Sequence, residues 1–291
     1  MKKYLKLLRI KHYIKNLLIC FPLIFSKEVN LATISIVILG FISFSLSSSI
    51  IYIINDIMDV EKDRNHPTKK NRPIASGQIS IKKAIIIAIL LIIIVAGITT
   101  YLSMNNKFIS TYIIAYILIN LGYSLGLKNK PLIDIAILAS GFLIRVFYGG
   151  ALINIEVSSW LYLTILSIAF YLGLGKRRNE LIYNQNADKK SSSTREVLKY
   201  YNKDFLDKNM YMCLAITIVF YSLWCKDMPS SKYMMWTIPI VMLICMKYSL
   251  NIESNQIGGG DPVEVLLKDK VLIGLVLLYG IVALSILYIG G

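Results

Sequence analysis

The sequence predicts an all-α, polytopic membrane protein: a helical bundle of about nine transmembrane helices, forming a single domain over residues 1–291. Hydrophobic residues make up 56% of the chain, and the mean hydropathy is +0.60. A soluble globular domain is about 45–50% apolar. The excess here is concentrated in repeated apolar runs, most of which reach the roughly 17–25 residues that a bilayer requires.

Nine apolar segments are predicted to cross the membrane. The first is the shortest and contains Pro22, which interrupts an otherwise helical pattern. The distribution of basic residues nevertheless favours keeping it, because a version with eight spans places a basic loop on the wrong side. The predicted spans are 14–26, 31–54, 81–102, 108–126, 132–154, 159–175, 209–226, 234–250 and 271–290.

Lysine and arginine fix the orientation. With the N-terminus in the cytoplasm, the loops on that side carry 26 Lys and Arg, whereas the opposite loops carry four. This asymmetry is the positive-inside pattern. It predicts a multi-pass protein of the cell (plasma) membrane, with the N-terminus and active site cytoplasmic and the C-terminus outside. Inner basic loops also bind anionic headgroups without any catalytic role. That simpler explanation accounts for much of the net charge of +15, and no nucleic-acid partner is expected.

Three aspartates follow the second predicted span. Asp56, Asp59 and Asp63 stand at i, i+3 and i+7, which places them on one face of a helix, with Asn55 beside them. Carboxylates at a membrane boundary are costly unless they line a cavity, pair with cations or bind a metal. Mg²⁺ prefers such oxygen ligands and shares them with substrate phosphates. The pattern predicts a Mg²⁺ site; the alternative is a charged interfacial loop with internal salt bridges.

A basic run comes directly after these acids. His66, Lys69 and Arg72 lie within the segment HPTKKNRPIASG. Basic side chains bind phosphate, and arginine does so through two parallel hydrogen bonds. Acids suited to a metal beside bases suited to phosphate indicate an enzyme that handles a diphosphate.

A second polar segment opens the long loop after the sixth predicted span. Tyr171, Lys176 and Glu180 are spaced so that they stay close together on a continuing helix, and Arg177 follows Lys176. The two bases are candidates for a phosphate clamp. Positive-inside topology alone also explains them.

A third polar group surrounds the fourth and fifth predicted spans. Tyr123 and Lys128 flank the short loop between them, and Arg145 lies within the fifth span. An arginine surrounded by the apolar sequence GFLIRVFYGG is expected to face the bundle interior and to pair with a carboxylate or an anionic ligand. With all three groups on the cytoplasmic side, a single shared cavity is expected.

The segment NDIMDVEKDRNHPTKKNRPIASG resembles the first signature of the UbiA-type intramembrane prenyltransferase superfamily, NDxxDxxxD. The resemblance extends over essentially the whole chain through YSLGLKNKPLID, GFLIRVFYGGAL and GDPVEVLLKDK. More narrowly, RIKHYIKNLLICFPLIFS, HPTKKNRPIASG and GKRRNEL resemble the decaprenyl-phosphate phosphoribosyltransferase branch. That branch attaches phosphoribose from phosphoribosyl diphosphate to a polyprenyl phosphate.

The resemblance implies a UbiA-like fold, a Mg²⁺ cofactor, a polyprenyl phosphate acceptor held among membrane lipids, phosphoribosyl diphosphate as donor, and a role in cell wall biosynthesis. It implies that Asp56, Asp59 and Lys176 are catalytic and that Asp56, Asp59 and Asp63 bind the metal. The substrate-binding residues that it implies are Asn55, Lys15, Asn16, His66, Lys69, Arg72, Tyr123, Lys128, Arg145, Tyr171, Arg177 and Glu180.

Two other functions stay open from the sequence. Aromatic prenyltransferases carry a second acid-rich motif where this chain reads YLGLGKRRNEL, with one acid and three bases. The absence of that motif counts against prenyl transfer from a polyprenyl diphosphate to an aromatic or other small acceptor, which is the second hypothesis. A transporter or lipid-binding protein is the third, although its polar groups are expected at a midplane site. The polyprenyl chain length and the oligomeric state are left open.

Overall fold

The structure is a computed structural model that describes residues 2–65, 69–186, 196–228, 231–254 and 262–289. Every regular element within those ranges is a helix, which confirms the predicted all-α class. The chain divides into two compact units. The prediction that the whole chain is a single domain stays a prediction, and the two units are described separately.

The first unit comprises Met1–Lys128 and Ile144–Glu156. Its elements are α1 (Lys2–Leu7), a 3₁₀ helix (Ile10–Cys20), α2 (Phe21–Ser26), α3 (Leu31–Met58), α4 (Val60–Arg64), a 3₁₀ turn (Lys69–Asn71), α5 (Ile81–Ser103), α6 (Phe108–Leu125), a 3₁₀ turn (Leu127–Asn129) and the C-terminal half of α7 (Ile133–Leu152).

Helix α5 shows how these helices pack. It buries Ala84, Ala88, Leu91 and Val95, which recur at helical spacing on one face. Seven of its nine isoleucines are exposed, as expected for a surface that meets lipid. Small residues bring membrane helices close together, so the alanine face allows close packing on α3.

The segment predicted as the first span, 14–26, is not one long α-helix. It forms the end of the 3₁₀ helix Ile10–Cys20 and then α2, with Pro22 near the start of α2. Proline lacks an N–H donor, and it is tolerated in the first turn of a helix. With ideal rises of about 2.0 Å per residue in a 3₁₀ helix and about 1.5 Å in an α-helix, the two elements have a summed length of about 31 Å, enough to cross a bilayer core when they lie end to end.

Gly149 in α7 gives a first prediction. A Cβ atom at this position would lie 2.2 Å from the backbone oxygen of Ile19, and backbone cannot rotate away as a side chain can. We expect Gly149→Ala to destabilise the protein by about 3 kcal/mol, at the upper end of the usual cost of overpacking. The measurement is the melting temperature in a fixed detergent.

Gly97→Ala is the matched control, because a Cβ atom at Gly97 in α5 has no neighbour within 4 Å. Replacing an unconstrained helical glycine by alanine is expected to stabilise by about 0.5–1 kcal/mol. A Gly149→Ala variant that melts with the Gly97→Ala variant would contradict the packing of α7 on the 3₁₀ helix.

The second unit comprises Asn129–Leu143, Val157–Asp188 and Arg195–Gly291. Its elements are the N-terminal half of α7, α8 (Ser159–Asn186), a 3₁₀ helix (Glu196–Tyr200), α9 (Lys203–Asp227), α10 (Ser231–Met234), a 3₁₀ turn (Met235–Thr237), α11 (Ile238–Glu253), α12 (Pro262–Lys268) and α13 (Lys270–Tyr288).

Polar pairs join the helices of this unit. Thr217 of α9 donates to Ser167 of α8 at 3.0 Å. Asp269 caps α13 by accepting the Leu272 N–H at 2.9 Å, and it pairs with Lys247 at 2.9 Å. The Leu272 N–H, with the Lys247 ammonium, lowers the pKa of Asp269 to about 2, so this cap stays ionised at neutral pH.

Eight helices among the residues that the structure describes are long and apolar enough to cross a membrane. They correspond to the eight predicted spans after the first. The remaining predicted span consists of the end of the 3₁₀ helix and α2. It is not among the eight, because its α-helical part is only six residues long.

Candidate active site

The acidic end of α3 is the centre of the candidate site in the first unit. α3 ends at Met58, Asp59 caps it, and α4 continues at Val60. Asp56 and Asp63 are 2% and 3% exposed. Burying two carboxylates this fully is expensive unless cations and hydrogen-bond donors surround them, and the chain supplies two arginines.

Arg72 joins the two buried carboxylates. Its Nη1 atom lies 3.1 Å from Asp56 Oδ1 and 2.6 Å from Asp63 Oδ2. Arg9 donates to the same Asp56 Oδ1 at 2.5 Å, and its guanidinium lies 4.5 Å from the centre of the Tyr52 ring. One aspartate oxygen therefore accepts from two arginines.

The loop that carries Arg72 is held by its own backbone. The Arg72 N–H donates to Lys69 O, and Ser76 N–H donates to Arg72 O, both at 2.9 Å. Ile74 and Ile79 are each 2% exposed and anchor the loop in the core of the first unit. Arg72 thus projects from a folded turn, which reduces the entropy that is lost when its guanidinium is fixed.

Asp59 points to a different cation. Its carboxylate lies 3.4 Å from Lys128 Nζ, which follows α6. Asn55 Oδ1 accepts from Ser124 Oγ at 3.3 Å, also at the end of α6. Asp59 lies between α3 and α4, but helical hydrogen bonds continue across it, from the Asp59 N–H to Asn55 O at 2.9 Å and from the Asp63 N–H to Asp59 O at 2.8 Å. The three aspartates therefore follow one another on a nearly continuous helix, and Asp59 differs in pairing with Lys128.

An open cavity of about 300 Å³ adjoins Arg72. It is lined by Lys6, Lys69, Asn71, Arg72 and Pro73. Three of the five residues are cations, so the cavity suits an anion of the size of a phosphate or diphosphate. Arg72 belongs both to the cavity wall and to the carboxylate cluster.

The donor atoms of the cluster fit a Mg²⁺ ion. They are hard carboxylate oxygens, and Asp56 and Asp63 already converge on one positive group, Arg72 Nη1. In the part of the chain that the structure describes, no three acid, His or Cys side chains are arranged to hold a metal. Two carboxylates suffice for Mg²⁺, which takes its other ligands from water and substrate phosphates.

Two further predicted residues of the first unit meet inside the bundle. Arg145, 6% exposed, donates through Nε to Asn16 Oδ1 at 2.7 Å, and Asn16 donates to Ser45 Oγ at 2.9 Å. The Arg145 guanidinium also lies 5.0 Å from the Phe44 ring and 5.2 Å from the Tyr116 ring. The prediction that Arg145 faces the interior is confirmed. Its partners include the Asn16 amide, the Tyr116 hydroxyl at 3.5 Å and the two aromatic rings.

Lys15 and Tyr123 are half-buried in the same unit. His66 lies outside the described residues. The roles predicted for these three residues stay predictions.

In the second unit, Arg177 occupies a buried ion-pair network. Its side chain is 0% exposed and donates to Asp134 and, at 2.5 Å, to Glu180. Tyr201 donates to the other Asp134 oxygen at 2.7 Å and accepts the Leu132 N–H at 2.7 Å. Burial raises the pKa of Tyr201, so its hydroxyl remains a donor at neutral pH.

The other predicted residues of the second unit are arranged around this network. Lys176 is half-buried, and Tyr171 is 1% exposed, with its hydroxyl 2.5 Å from Ser249 Oγ. Since Arg177 is fully committed to two carboxylates, phosphate binding would require it to leave them. A clamp formed by Lys176 and Arg177 stays a prediction, as does a cavity shared with the acidic cluster.

Sequence reasoning missed Arg9 and Lys6. Both lie in the basic N-terminal segment, whose charge is explained equally well by topology. No spacing marks Arg9. The sequence also does not indicate the turn at this position. Arg9 has a positive φ of 52°, whereas glycine, asparagine and aspartate are the residues that usually mark such a turn.

Comparisons with known proteins identify the family and the fold. The model of the UbiA prenyltransferase family matches residues 17–180. The chain is 33% identical over 277 residues to a decaprenyl-phosphate phosphoribosyltransferase of Corynebacterium glutamicum, covering 92% of this chain and 81% of that protein. It is 33% identical over 285 residues to the protein of the same name from Mycolicibacterium smegmatis, covering 92% and 87%.

The fold is also similar to that of a solved structure. A UbiA homolog from Archaeoglobus fulgidus, bound to GPP and Mg²⁺, superposes with a TM-score of 0.70 at 19% identity, covering 97% of this chain and 99% of that one. The predicted UbiA-like helical membrane fold is confirmed.

Proposed function

Because the chain belongs to the UbiA prenyltransferase family and is a multi-pass membrane transferase, we propose that it transfers 5-phosphoribosyl from phosphoribosyl diphosphate to a polyprenyl phosphate and releases diphosphate. The names of its relatives, which are decaprenyl-phosphate phosphoribosyltransferases, support the phosphoribosyl group and the polyprenyl phosphate acceptor of this proposal. The observation that carries the proposal is the pair of buried carboxylates, Asp56 and Asp63, joined by Arg72 beside a basic cavity.

Asp56 and Asp63 would hold Mg²⁺, with Asp59 as a third candidate ligand. Asn55 would orient the waters of the metal or a donor hydroxyl. When bound, Mg²⁺ supplies positive charge that stabilises the departing diphosphate. Lys69 and Arg72 line the cavity, so they are the residues that would bind the donor phosphates and neutralise the charge that develops on the leaving group.

The transfer itself needs no strong general base. A phosphate monoester is largely ionised near neutral pH, so an oxygen of the lipid phosphate attacks the anomeric carbon directly. The bond from that carbon to the diphosphate oxygen breaks, and the electron pair leaves with diphosphate. A single displacement inverts the configuration, from an α donor to a β product. Lys176 is proposed to neutralise negative charge on the donor phosphates and on the leaving diphosphate.

The topology proposal places the protein in the plasma membrane, with the N-terminus and the active site in the cytoplasm and the C-terminus outside. The 26-to-4 distribution of Lys and Arg supports it. The length of the composite formed by the 3₁₀ helix and α2, about 31 Å, is consistent with the ninth crossing that an outside C-terminus requires.

The test uses purified protein in detergent with Mg²⁺, decaprenyl phosphate and radiolabelled phosphoribosyl diphosphate. We expect label to enter an organic-extractable lipid, EDTA to abolish the transfer, and added Mg²⁺ to restore it. A parallel assay supplies labelled prenyl diphosphate with hydroxybenzoate. Transfer in that assay alone would reject the phosphoribosyl proposal in favour of prenyl transfer, and transfer that survives EDTA would reject the metal.

A further inference from the structure

Arg9 pairs with the proposed metal ligand Asp56 but has no role in the proposed reaction. It lies in the turn between α1 and the 3₁₀ helix, with a positive φ of 52°. Its side chain reaches from this turn to Asp56 and lies over Tyr52. A long side chain held in a sparsely populated backbone conformation marks a place where the surrounding structure fixes its position, and such places cluster at ligand sites.

Arg9 and a metal ion would compete for one atom. Asp56 Oδ1 accepts from Arg9 Nη2 at 2.5 Å and from Arg72 Nη1 at 3.1 Å. Mg²⁺ binds a carboxylate oxygen at about 2.0–2.1 Å. A cation bound at Oδ1 would repel the two guanidinium groups that donate to the same oxygen, so coordination through Oδ1 would weaken the present ion pairs.

The two arginines are not equally placed in this competition. Arg72 also pairs with Asp63, at the shorter distance of 2.6 Å, and therefore keeps a carboxylate when Asp56 Oδ1 turns to a metal. Arg9 loses its bond to Asp56. It is joined through its backbone N–H to Lys6 O at 3.2 Å, and Lys6 lines the basic cavity.

We propose that Arg9 is a substrate-binding residue that exchanges partners: its guanidinium pairs with Asp56 in the metal-free protein, and it would bind the diphosphate of the donor when Asp56 holds Mg²⁺. This inference rests on the proposed function for the identity of the donor as a diphosphate ester. Arginine suits the role because its planar fork matches both carboxylate and phosphate. The exchange couples the two ligands, because metal binding at Asp56 would free the Arg9 guanidinium, and the diphosphate would then bind that guanidinium.

The exchange predicts opposite effects of one substitution on two ligands. In Arg9→Gln, Mn²⁺ as a stand-in for Mg²⁺ loses its competitor, so we expect it to bind several-fold more tightly without any phosphate ligand. Inorganic pyrophosphate with Mg²⁺ loses a charged hydrogen-bond donor, so we expect it to bind about tenfold more weakly. Electron paramagnetic resonance of free Mn²⁺ measures the first affinity, and titration calorimetry measures the second.

Three variants separate the charge of Arg9 from its place in the turn. Arg9→Gly removes the charge and also relieves the positive φ, so it must shift both affinities as Arg9→Gln does. Arg9→Lys keeps a point charge and is expected to restore part of the pyrophosphate affinity. Arg64→Gln removes an equal charge from an exposed arginine of α4 that donates to the Ala75 carbonyl, and it must leave both affinities unchanged.

Arg9 variants that weaken both ligands, or that leave Mn²⁺ binding as in the wild type, would overturn the exchange and make Arg9 a structural residue. These measurements use neither phosphoribosyl diphosphate nor a lipid. Opposite shifts without phosphoribosyl transfer would therefore keep the exchange and reject the donor. Phosphoribosyl transfer without those shifts would reject the exchange alone.

Discussion

Asp56→Asn is expected to lower phosphoribosyl transfer at least about 100-fold, and saturating Mg²⁺ will not restore it. Even residues that only support a metal ligand are usually worth 10–100-fold, and Asp56 is placed to bind the ion itself. Asparagine keeps the shape and one acceptor oxygen but not the charge. The measurement is kcat over a Mg²⁺ titration with both substrates saturating.

Loss of stability must be separated from this effect. Arg9 and Arg72 are 19% and 24% exposed, so water can solvate them when Asp56 loses its charge. The cost should therefore be smaller than the about 3–5 kcal/mol that follows when a fully buried pair is broken. The matched control is Glu61→Gln, an exposed acid of the adjoining α4, which should retain wild-type turnover. Wild-type turnover by a folded Asp56→Asn variant would remove Asp56 from the metal site.

The prediction of the helical fold succeeded because the membrane makes the sequence pattern simple. Every backbone polar group must be satisfied within a spanning segment, so apolar length identifies helices well. Helix α5 extends over Ile81–Ser103, within a residue of its predicted bounds. The 3₁₀ helix Ile10–Cys20 was not predictable in the same way. Such long 3₁₀ runs are uncommon, and no residue type signals them.

The acidic cluster was predictable in part. Spacing placed Asp56 and Asp63 together, and both are buried on Arg72. Spacing did not predict that the Asp59 carboxylate pairs with Lys128, because that contact is formed by the tertiary fold. The predicted place of Asp59 at the metal stays a prediction. Arg9 lies 47 positions from its partner Asp56, and no local pattern reports a contact formed by folding.

Sequence also cannot distinguish a basic residue that binds substrate from one that holds the protein together. Arg145 and Arg177 both lie in segments that are rich in apolar or basic residues. Only the structure shows that one meets an amide and aromatic rings and the other two carboxylates. Burial and partners decide this question, and both depend on the tertiary fold.

Arg177→Met is expected to destabilise the protein by about 3–5 kcal/mol, because it leaves the fully buried Asp134 carboxylate without its cation. Tyr201 still donates to Asp134, but a neutral hydroxyl does not replace the guanidinium charge. The measurement is the melting temperature in detergent, with Lys208→Met, an exposed cation of α9, as the control that should melt like the wild type.

A second substitution tests whether the buried charge is the cause. Arg177→Met combined with Asp134→Asn removes both charges and keeps an acceptor for Tyr201, so the double variant should recover much of the lost stability. A phosphate clamp predicts the reverse: Arg177→Met would melt normally and raise the KM for the donor, and Asp134→Asn would not rescue it. The burial of Arg177 and its bonds to two carboxylates favour the first outcome, because a clamp must reach its ligand and this guanidinium has no exposed surface.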